Sequence, residues 1–110
     1  MKLPAGEAAY VPKQKIAEYL LSLNHPIGYA KAIFFREIGY NDSNIELLEE
    51  ALLCIARHAE VLEIEKTAYG SKYVLEGPIR SPLNMIRTIR TIWIVEPNQP
   101  RPRFITAYPA

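Results

Sequence analysis

The hydrophobic pattern changes its period near residue 60, and this change constrains the fold more than any other feature of the sequence. Before it, apolar residues recur at the three- and four-residue spacing of amphipathic helices. After it, short runs rich in β-branched and aromatic residues alternate with Gly, Pro and Asn, which is typical of strands and turns. A chain of 110 residues has room for one core. We therefore predict a single α+β domain over residues 1–110, with three N-terminal helices followed by a roughly four-stranded antiparallel sheet.

The three helices are predicted from apolar stripes and from their end signals. The first begins at Pro12 and stops near Asn24. The second is predicted to run from Pro26 to Gly39, because proline suits a first helical turn and glycine suits a left-handed end. The third begins at the sequence Ser43-Asn44-Ile45-Glu46, which has the form of a capping box, and ends near His58.

Four strands are predicted in the second half of the chain, and their order implies an antiparallel meander. A turn at Tyr69-Gly70-Ser71 separates the first two, a stiff connection from Gly77 to Pro82 follows, and Pro97 to Pro102 is interpreted as a proline-rich loop. The predicted strands are Val61 to Thr67, Lys72 to Glu76, Met85 to Val95 and Phe104 to Tyr108.

Composition excludes several classes of protein. With 49% hydrophobic and 23% charged residues, the chain is neither disordered nor rich enough in long apolar runs to cross a bilayer. A single cysteine, Cys54, rules out an internal disulfide and a cysteine-rich zinc site, so a reducing cytoplasm is the expected location. We predict no metal and no cofactor. Five arginines stand against one acid from Ile79 to Ala110, and such a surplus can bind phosphates or simply coat a sheet.

Two residues near the second helix are the first candidates for chemistry. His25 precedes Pro26 at the predicted start of that helix, where a partly exposed imidazole can exchange protons near neutral pH. The structural alternative is that His25 only forms the turn or caps the helix. Lys31 falls on the otherwise apolar stripe Ile27, Lys31, Phe34, Ile38, and such a broken pattern occurs at functional sites as well as at snorkelling lysines. Cys54 and His58 are four residues apart, but we expect Cys54 to lie in the core.

The predicted sheet supplies a second set of candidates. Their cations and hydroxyls could neutralise a phosphodiester and their aromatic rings could stack on unpaired bases, whereas the structural alternative is an ordinary strand surface. The set comprises Tyr69, Lys72 and Tyr73 near the first turn, Arg87, Thr91 and Trp93 on one strand face, and Arg103, Thr106 and Tyr108 near the end.

The motifs in combination resemble a bacterial family known only as domain of unknown function six-eight-eight-three. The resemblance covers essentially the whole chain. Asn84 stands where the commonest form of the family has glycine, and asparagine tolerates the same left-handed turn. The motifs are Leu3-Pro4, Lys15-Ile16 with Tyr19-Leu20-Leu21, His25-Pro26-x-Gly28-x-x-Lys31-Ala32-x-Phe34-Phe35, Tyr69-Gly70-x-Lys72-Tyr73, Thr91-x-Trp93-Ile94-Val95 and Pro102-Arg103-x-x-Thr106-Ala107-Tyr108-Pro109.

Members of this family occur as small stand-alone proteins and as C-terminal modules of toxin-like and phage-related proteins, so the resemblance implies a toxin-like effector. The layout is also similar to that of the barnase, EndoU, colicin and RelE group of metal-independent ribonucleases. This likeness implies attack by a ribose 2′-hydroxyl on the adjacent phosphate. His25 would then be the acid or base, Lys31 and Arg103 the phosphate clamp, and Lys72, Thr91, Thr106 and Tyr108 supporting donors.

Other functions remain open at this point. The chain could be a non-catalytic module, antitoxin-like or part of an assembly, that binds a partner through a sheet edge or the face carrying Trp93. It could also form a homodimer through an unpaired strand edge. A cognate immunity or antitoxin protein would be the partner of a toxin. Spatial convergence distinguishes these hypotheses, because catalysis requires His25 or Lys31 to lie near the sheet arginines.

Overall fold

Helical elements come first in the chain. The structure is a computed structural model, and it describes residues 1–26 and 28–110. After a 3-10 turn at Gly6–Ala8, helix α1 combines an α-helical turn, Lys13–Lys15, with a π-helical segment, Ile16–Leu20. Helix α2 spans Tyr29–Glu37 and helix α3 spans Ile45–His58.

One antiparallel sheet follows the helices. Its strands are β1 (Val61–Thr67), β2 (Gly70–Arg80), β3 (Ile86–Glu96) and β4 (Gln99–Pro109), and they lie in the sheet in chain order. Each strand therefore pairs with the next, which leaves β1 and β4 at the two edges. The prediction of an α+β chain with three helices and a four-stranded antiparallel sheet is confirmed.

The strands are longer than predicted wherever proline was taken as a boundary. β2 continues past Gly77 and Pro78 as far as Arg80, and β4 begins at Gln99. The predicted proline-rich loop over 97–102 is therefore largely wrong, since Pro100 and Pro102 lie in β4. β4 is an edge strand, and β2 pairs with β1 only as far as Leu75, so these prolines lie where their strand has one partner strand and the missing N–H group can face away from the ladder.

The helix ends differ from the predictions in instructive ways. The first helix stops at Leu20 instead of near Asn24, and the second begins at Tyr29 instead of Pro26. Ile27, one member of the predicted stripe, lies outside the described residues. The predicted end at Gly39 is confirmed: its φ is +112°, its N–H donates to the Arg36 carbonyl, and the N–H of Tyr40 donates to the Phe35 carbonyl.

Two predicted turn details have opposite outcomes. The capping box at Ser43 is wrong, because Asn44 is the N-cap and the Ser43 side chain donates to Asn41 instead. Asn44 in turn accepts from the Asn41 N–H at 2.7 Å, so these residues stabilise the turn before α3. The left-handed turn at Asn84 is confirmed, with a φ of +61°.

The core lies between the helices and one face of the sheet. Trp93 and Phe104 are its largest sheet residues, both fully buried, with their ring centroids 5.3 Å apart in an edge-to-face arrangement. The prediction that Cys54 lies in the core is wrong. Its thiol is on the exposed side of α3, 3.6 Å from His58 Nδ1. No helix within the described residues is long and apolar enough to cross a membrane.

Candidate active site around Tyr19

Tyr19 is the centre of a polar cluster at the β4 edge of the sheet. It belongs to the π-helical segment, in which the Leu21 N–H donates to the Ile16 carbonyl five residues earlier, at 2.8 Å. π-Helical turns are rare and recur at functional sites. Gly28 packs against the tyrosine, since a Cβ at position 28 would lie 3.3 Å from two ring carbons. Glycine therefore lets the start of α2 approach Tyr19 closely.

Lys31 explains why the predicted apolar stripe is broken. Its ammonium donates a hydrogen bond of 2.7 Å to the Tyr19 hydroxyl and lies 5.2 Å from the centroid of the same ring. Lys15 places a second ammonium 5.0 Å from that centroid. Two cations therefore surround one half-buried phenol.

Thr106 joins the cluster from the sheet. Its hydroxyl lies 3.3 Å from the Tyr19 hydroxyl, and either oxygen can be the donor. Because Lys31 already donates to Tyr19, the phenol keeps its own proton for Thr106 or for another acceptor. The contact joins residues 87 positions apart in sequence and ties helix α1 to strand β4.

His25 completes the cluster in the connection between α1 and α2. Its ring stands edge-on to Tyr19, with centroids 5.0 Å apart and planes at 90°. Nδ1 accepts a hydrogen bond of 3.0 Å from the Gly28 N–H. The proton of the neutral imidazole therefore belongs on Nε2, a tautomer that we assign from this hydrogen bond.

The surroundings change the acidity of the phenol. Burial by itself would raise the pKa of Tyr19, but the hydrogen bonds with Lys31 and Thr106 and the charges of Lys31 and Lys15 outweigh it. The pKa of Tyr19 therefore lies below that of a free tyrosine. Such a phenol takes up and releases a proton closer to neutral pH, which is what a general acid or base requires.

Arg103 lies further along β4. Its guanidinium pairs with Glu96 at 3.2 Å, and both side chains are about one-third exposed, at 35% and 38%. Arg103 also pairs through its backbone with Tyr10, which adds a short parallel bridge to the outer edge of β4. Arg103 lies three positions before Thr106, about 10 Å along an extended strand. Its guanidinium is held by a carboxylate.

A cleft of about 410 Å³ on the open face of the sheet gathers three further predicted residues, Lys72, Thr106 and Tyr108. Thr106 thus belongs both to this cleft and to the Tyr19 cluster. Two carboxylates, Glu63 and Glu65, line the opposite side of the cleft on β1. The cleft is acidic on β1, has its lysine on β2 in register with Glu65, and is hydroxyl-rich on β4.

Four of the residues predicted to contact a ligand lie outside both the Tyr19 cluster and this cleft. Tyr69 is 79% exposed at the β1–β2 turn, and Arg87 is exposed on β3, where it donates to the Ile86 carbonyl. Thr91 and Trp93 are fully buried, and the Trp93 indole N–H donates to the Thr91 hydroxyl at 2.8 Å. The prediction that these two contact a ligand does not fit this burial, because their strand face packs against the helices.

Sequence reasoning missed Tyr19 as a functional candidate. Its position on the apolar face of the first helix assigned it to the core. The family motif Lys15-Ile16 with Tyr19-Leu20-Leu21 was a signal that could have identified it. No group of three or more metal-binding side chains occurs among the described residues.

The fold and the cluster define an α+β protein with a tyrosine, a lysine, a threonine and a histidine gathered at one sheet edge. The chain matches the family described as Domain of unknown function (DUF6883) over residues 2–110, and it belongs to that family. The resemblance seen in its motifs is therefore confirmed.

A solved structure shares this fold. It is a chain of a contact-dependent growth inhibition toxin–immunity protein complex from Klebsiella pneumoniae 342, with a TM-score of 0.75 and 17% sequence identity. The match covers 94% of this chain and 95% of that one. At this level of identity the likeness establishes the fold and not the activity. A search of curated proteins gave no match.

Proposed function

We propose that this chain is a toxin-like ribonuclease that cleaves RNA without a metal ion, through attack of a ribose 2′-hydroxyl on the adjacent phosphate. The observation that carries the proposal is the convergence of His25, Lys31 and Thr106 on the phenol of Tyr19. These residues come from separate elements, and convergence of this kind distinguishes a catalytic site from scattered surface polarity.

Tyr19 is the proposed general base. Lys31 donates to its oxygen at 2.7 Å and therefore stabilises the phenolate, and the pKa of Tyr19 is lowered in consequence. The phenolate takes the proton of the 2′-hydroxyl as the 2′-oxygen bonds to phosphorus. A positioned general base contributes about 10²- to 10⁴-fold to the rate of such a reaction.

His25 is the proposed general acid. As the acid His25 acts as the imidazolium, in which Nδ1 is protonated and gives up its hydrogen bond from Gly28 while Nε2 carries the proton that is transferred; the ring returns to the neutral form that accepts from Gly28. That proton passes to the 5′-oxygen as the bond between phosphorus and the 5′-oxygen breaks. The products are a 2′,3′-cyclic phosphate on one fragment and a 5′-hydroxyl on the other.

Cations stabilise the charge on the phosphorane. Lys31 lies beside Tyr19, and Arg103 reaches the site from β4 once a phosphate replaces Glu96 as its partner. Thr106 orients the phenol, while Lys72 and Tyr108 supply donors for the adjoining strand of RNA along the open cleft. Thr91 and Trp93 are left out of the proposal because they are buried.

Two comparisons support a toxin-like role. The similar fold occurs in a contact-dependent growth inhibition toxin–immunity protein complex. The order of helices and antiparallel strands is also similar to the barnase, EndoU, colicin and RelE layout, a likeness of architecture alone. We infer that the target is RNA in the cytoplasm and that a cognate small protein blocks the site.

A non-catalytic partner-binding module is the second candidate. The observation that favours it is the β1 edge, where Leu62 is 53% exposed and Ile64 is 45% exposed on an outer strand of the sheet. Such an edge can accept a strand from another protein or from a second copy of this chain. Light scattering of the purified protein distinguishes a dimer from a monomer.

The deciding experiment incubates the purified protein with total cellular RNA, with and without EDTA, and follows cleavage on a gel. We expect cleavage in both conditions and its loss in Tyr19→Phe and Lys31→Met. His25→Asn is the sharpest variant, because the asparagine carbonyl can still accept from Gly28 while the Nε2 proton is lost.

Matched controls are Tyr69→Phe and Lys66→Met, which remove the same groups at exposed positions away from the cluster. Both are expected to cleave as the wild type does. Intact RNA under all conditions refutes the proposed ribonuclease function and favours the partner-binding module. Cleavage that requires a metal refutes the proposed chemistry.

A further inference from the structure

The cleft next to Tyr19 contains a carboxylate that the proposed reaction does not use. This cleft has a volume of about 360 Å³, within the range of small-molecule sites. Tyr19 and His25 line it, and Glu18 brings the carboxylate to the same space. A negative charge beside a phosphodiester opposes binding, so Glu18 requires another explanation than phosphate recognition.

The remaining walls of the cleft are suited to a planar polar ligand. Gln14 and Glu18 are four residues apart and therefore neighbours on one side of α1. Lys15 lines the same cleft, with its ammonium over the Tyr19 ring. The imidazole of His25 supplies an aromatic surface of the kind on which unpaired bases stack.

We propose that this cleft binds the base of the nucleotide whose 2′-hydroxyl attacks, and that Glu18 selects guanine. The inference rests on the proposed ribonuclease function. Tyr19 fixes which nucleotide is meant, because the residue that takes the 2′-hydroxyl proton also lines the cleft.

The chemistry of the carboxylate distinguishes guanine from the other bases. A carboxylate only accepts hydrogen bonds, and its two oxygens match two neighbouring donors. Guanine alone presents such a pair, N1–H and the N2 amino group, on its Watson–Crick edge. Adenine and cytosine present one amino group beside an unprotonated ring nitrogen, and uracil presents one N–H between two carbonyls. Lys15 or the Gln14 amide can donate to the O6 of guanine.

The test uses labelled deoxyoligonucleotides that contain one ribonucleotide, so that cleavage occurs at one known position. We expect kcat/KM for a guanosine substrate to exceed that for adenosine by about 5- to 150-fold, the usual discrimination of a bidentate base contact. Inosine, which lacks only the N2 amino group, should fall between them. In Glu18→Gln the ratio of kcat/KM for guanosine to that for inosine should fall to about one.

Glu37→Gln, an exposed change at the end of α2, is the matched control and should keep the preference. Equal cleavage of all four ribonucleotides, or an equal loss for all four in Glu18→Gln, overturns guanine selection and leaves the ribonuclease intact.

If no substrate is cleaved, binding still decides the matter. Titration with guanosine 3′-monophosphate and adenosine 3′-monophosphate by NMR should give tighter guanosine binding in the wild type and equal binding in Glu18→Gln. Equal binding of the two nucleotides by the wild type refutes the proposal independently of catalysis.

Discussion

Thr91→Val separates the stability of this sheet from its chemistry. The Thr91 hydroxyl accepts the indole N–H of Trp93 at 2.8 Å, and both side chains are fully buried. Valine has nearly the shape of threonine but offers no acceptor, so the indole N–H would be left buried without a partner. An unsatisfied buried donor costs about 1–3 kcal/mol of the free energy of unfolding.

This cost translates into a fall in melting temperature. In domains of 60–100 residues each kcal/mol shifts the midpoint by about 4–8 °C, and this chain of 110 residues lies just beyond that range. We therefore expect a fall of ~4–15 °C, measured by circular dichroism. Thr88→Val, an exposed change on the same strand, should stay within about 0.5 kcal/mol of the wild type.

A double-mutant cycle attributes the effect to the hydrogen bond. In a Trp93→Phe background no indole N–H exists, so Thr91→Val should cost little or should stabilise. RNA cleavage by Thr91→Val, assayed well below its melting temperature, should match the wild type. Unchanged stability would refute the argument from burial. Loss of cleavage in a folded Thr91→Val protein would show that Thr91 contributes to the active site.

Three further predictions follow from contacts around the cluster and the sheet. Tyr19→Phe should remove a phenolate absorbance transition below about pH 10. Because the pKa of Tyr19 is lowered in the folded state, the free energy of unfolding of the wild type relative to Tyr19→Phe should rise with pH in that window and show no such gain at neutral pH, as urea titrations can test. Glu96→Gln releases Arg103, so KM for RNA should fall while kcat changes little. Gly70→Ala should destabilise the β1–β2 hairpin, because φ is +139° and a Cβ would lie 2.4 Å from the Val95 carbonyl oxygen, and thermal melting measures this.

The arrangement of elements could be predicted from the sequence because each signal was local. The change of period near residue 60, the glycine at position 39 and the asparagine at position 84 act within a few residues of themselves, and all three interpretations are confirmed. The proline boundaries were wrong because tolerance of proline depends on whether a strand lies at an edge. That property belongs to the assembled sheet and not to the segment.

The site could be predicted only in part, for the same physical reason. Lys31 drew attention because a charge interrupted an apolar stripe, and the structure supplies the partner that explains it, the hydroxyl of Tyr19. Tyr19 itself obeyed the helical pattern, since its ring packs against the core while its hydroxyl bonds with Lys31 and Thr106. A pattern of whole residues cannot separate an apolar ring from the polar atom at its end.

The alternation of β3 and β4 decides which of the polar and aromatic residues can reach RNA. On β3, Ile89, Thr91 and Trp93 share the buried face, so the aromatic ring expected to stack on a base instead contributes to the core. On β4 the register shifts beside Phe104, which is buried, while Thr106 reaches Tyr19. A bulge of this kind redirects the side chains that follow it. We therefore expect deletion of one residue in this part of β4 to abolish cleavage even where the protein still folds, because Thr106 would leave the cluster.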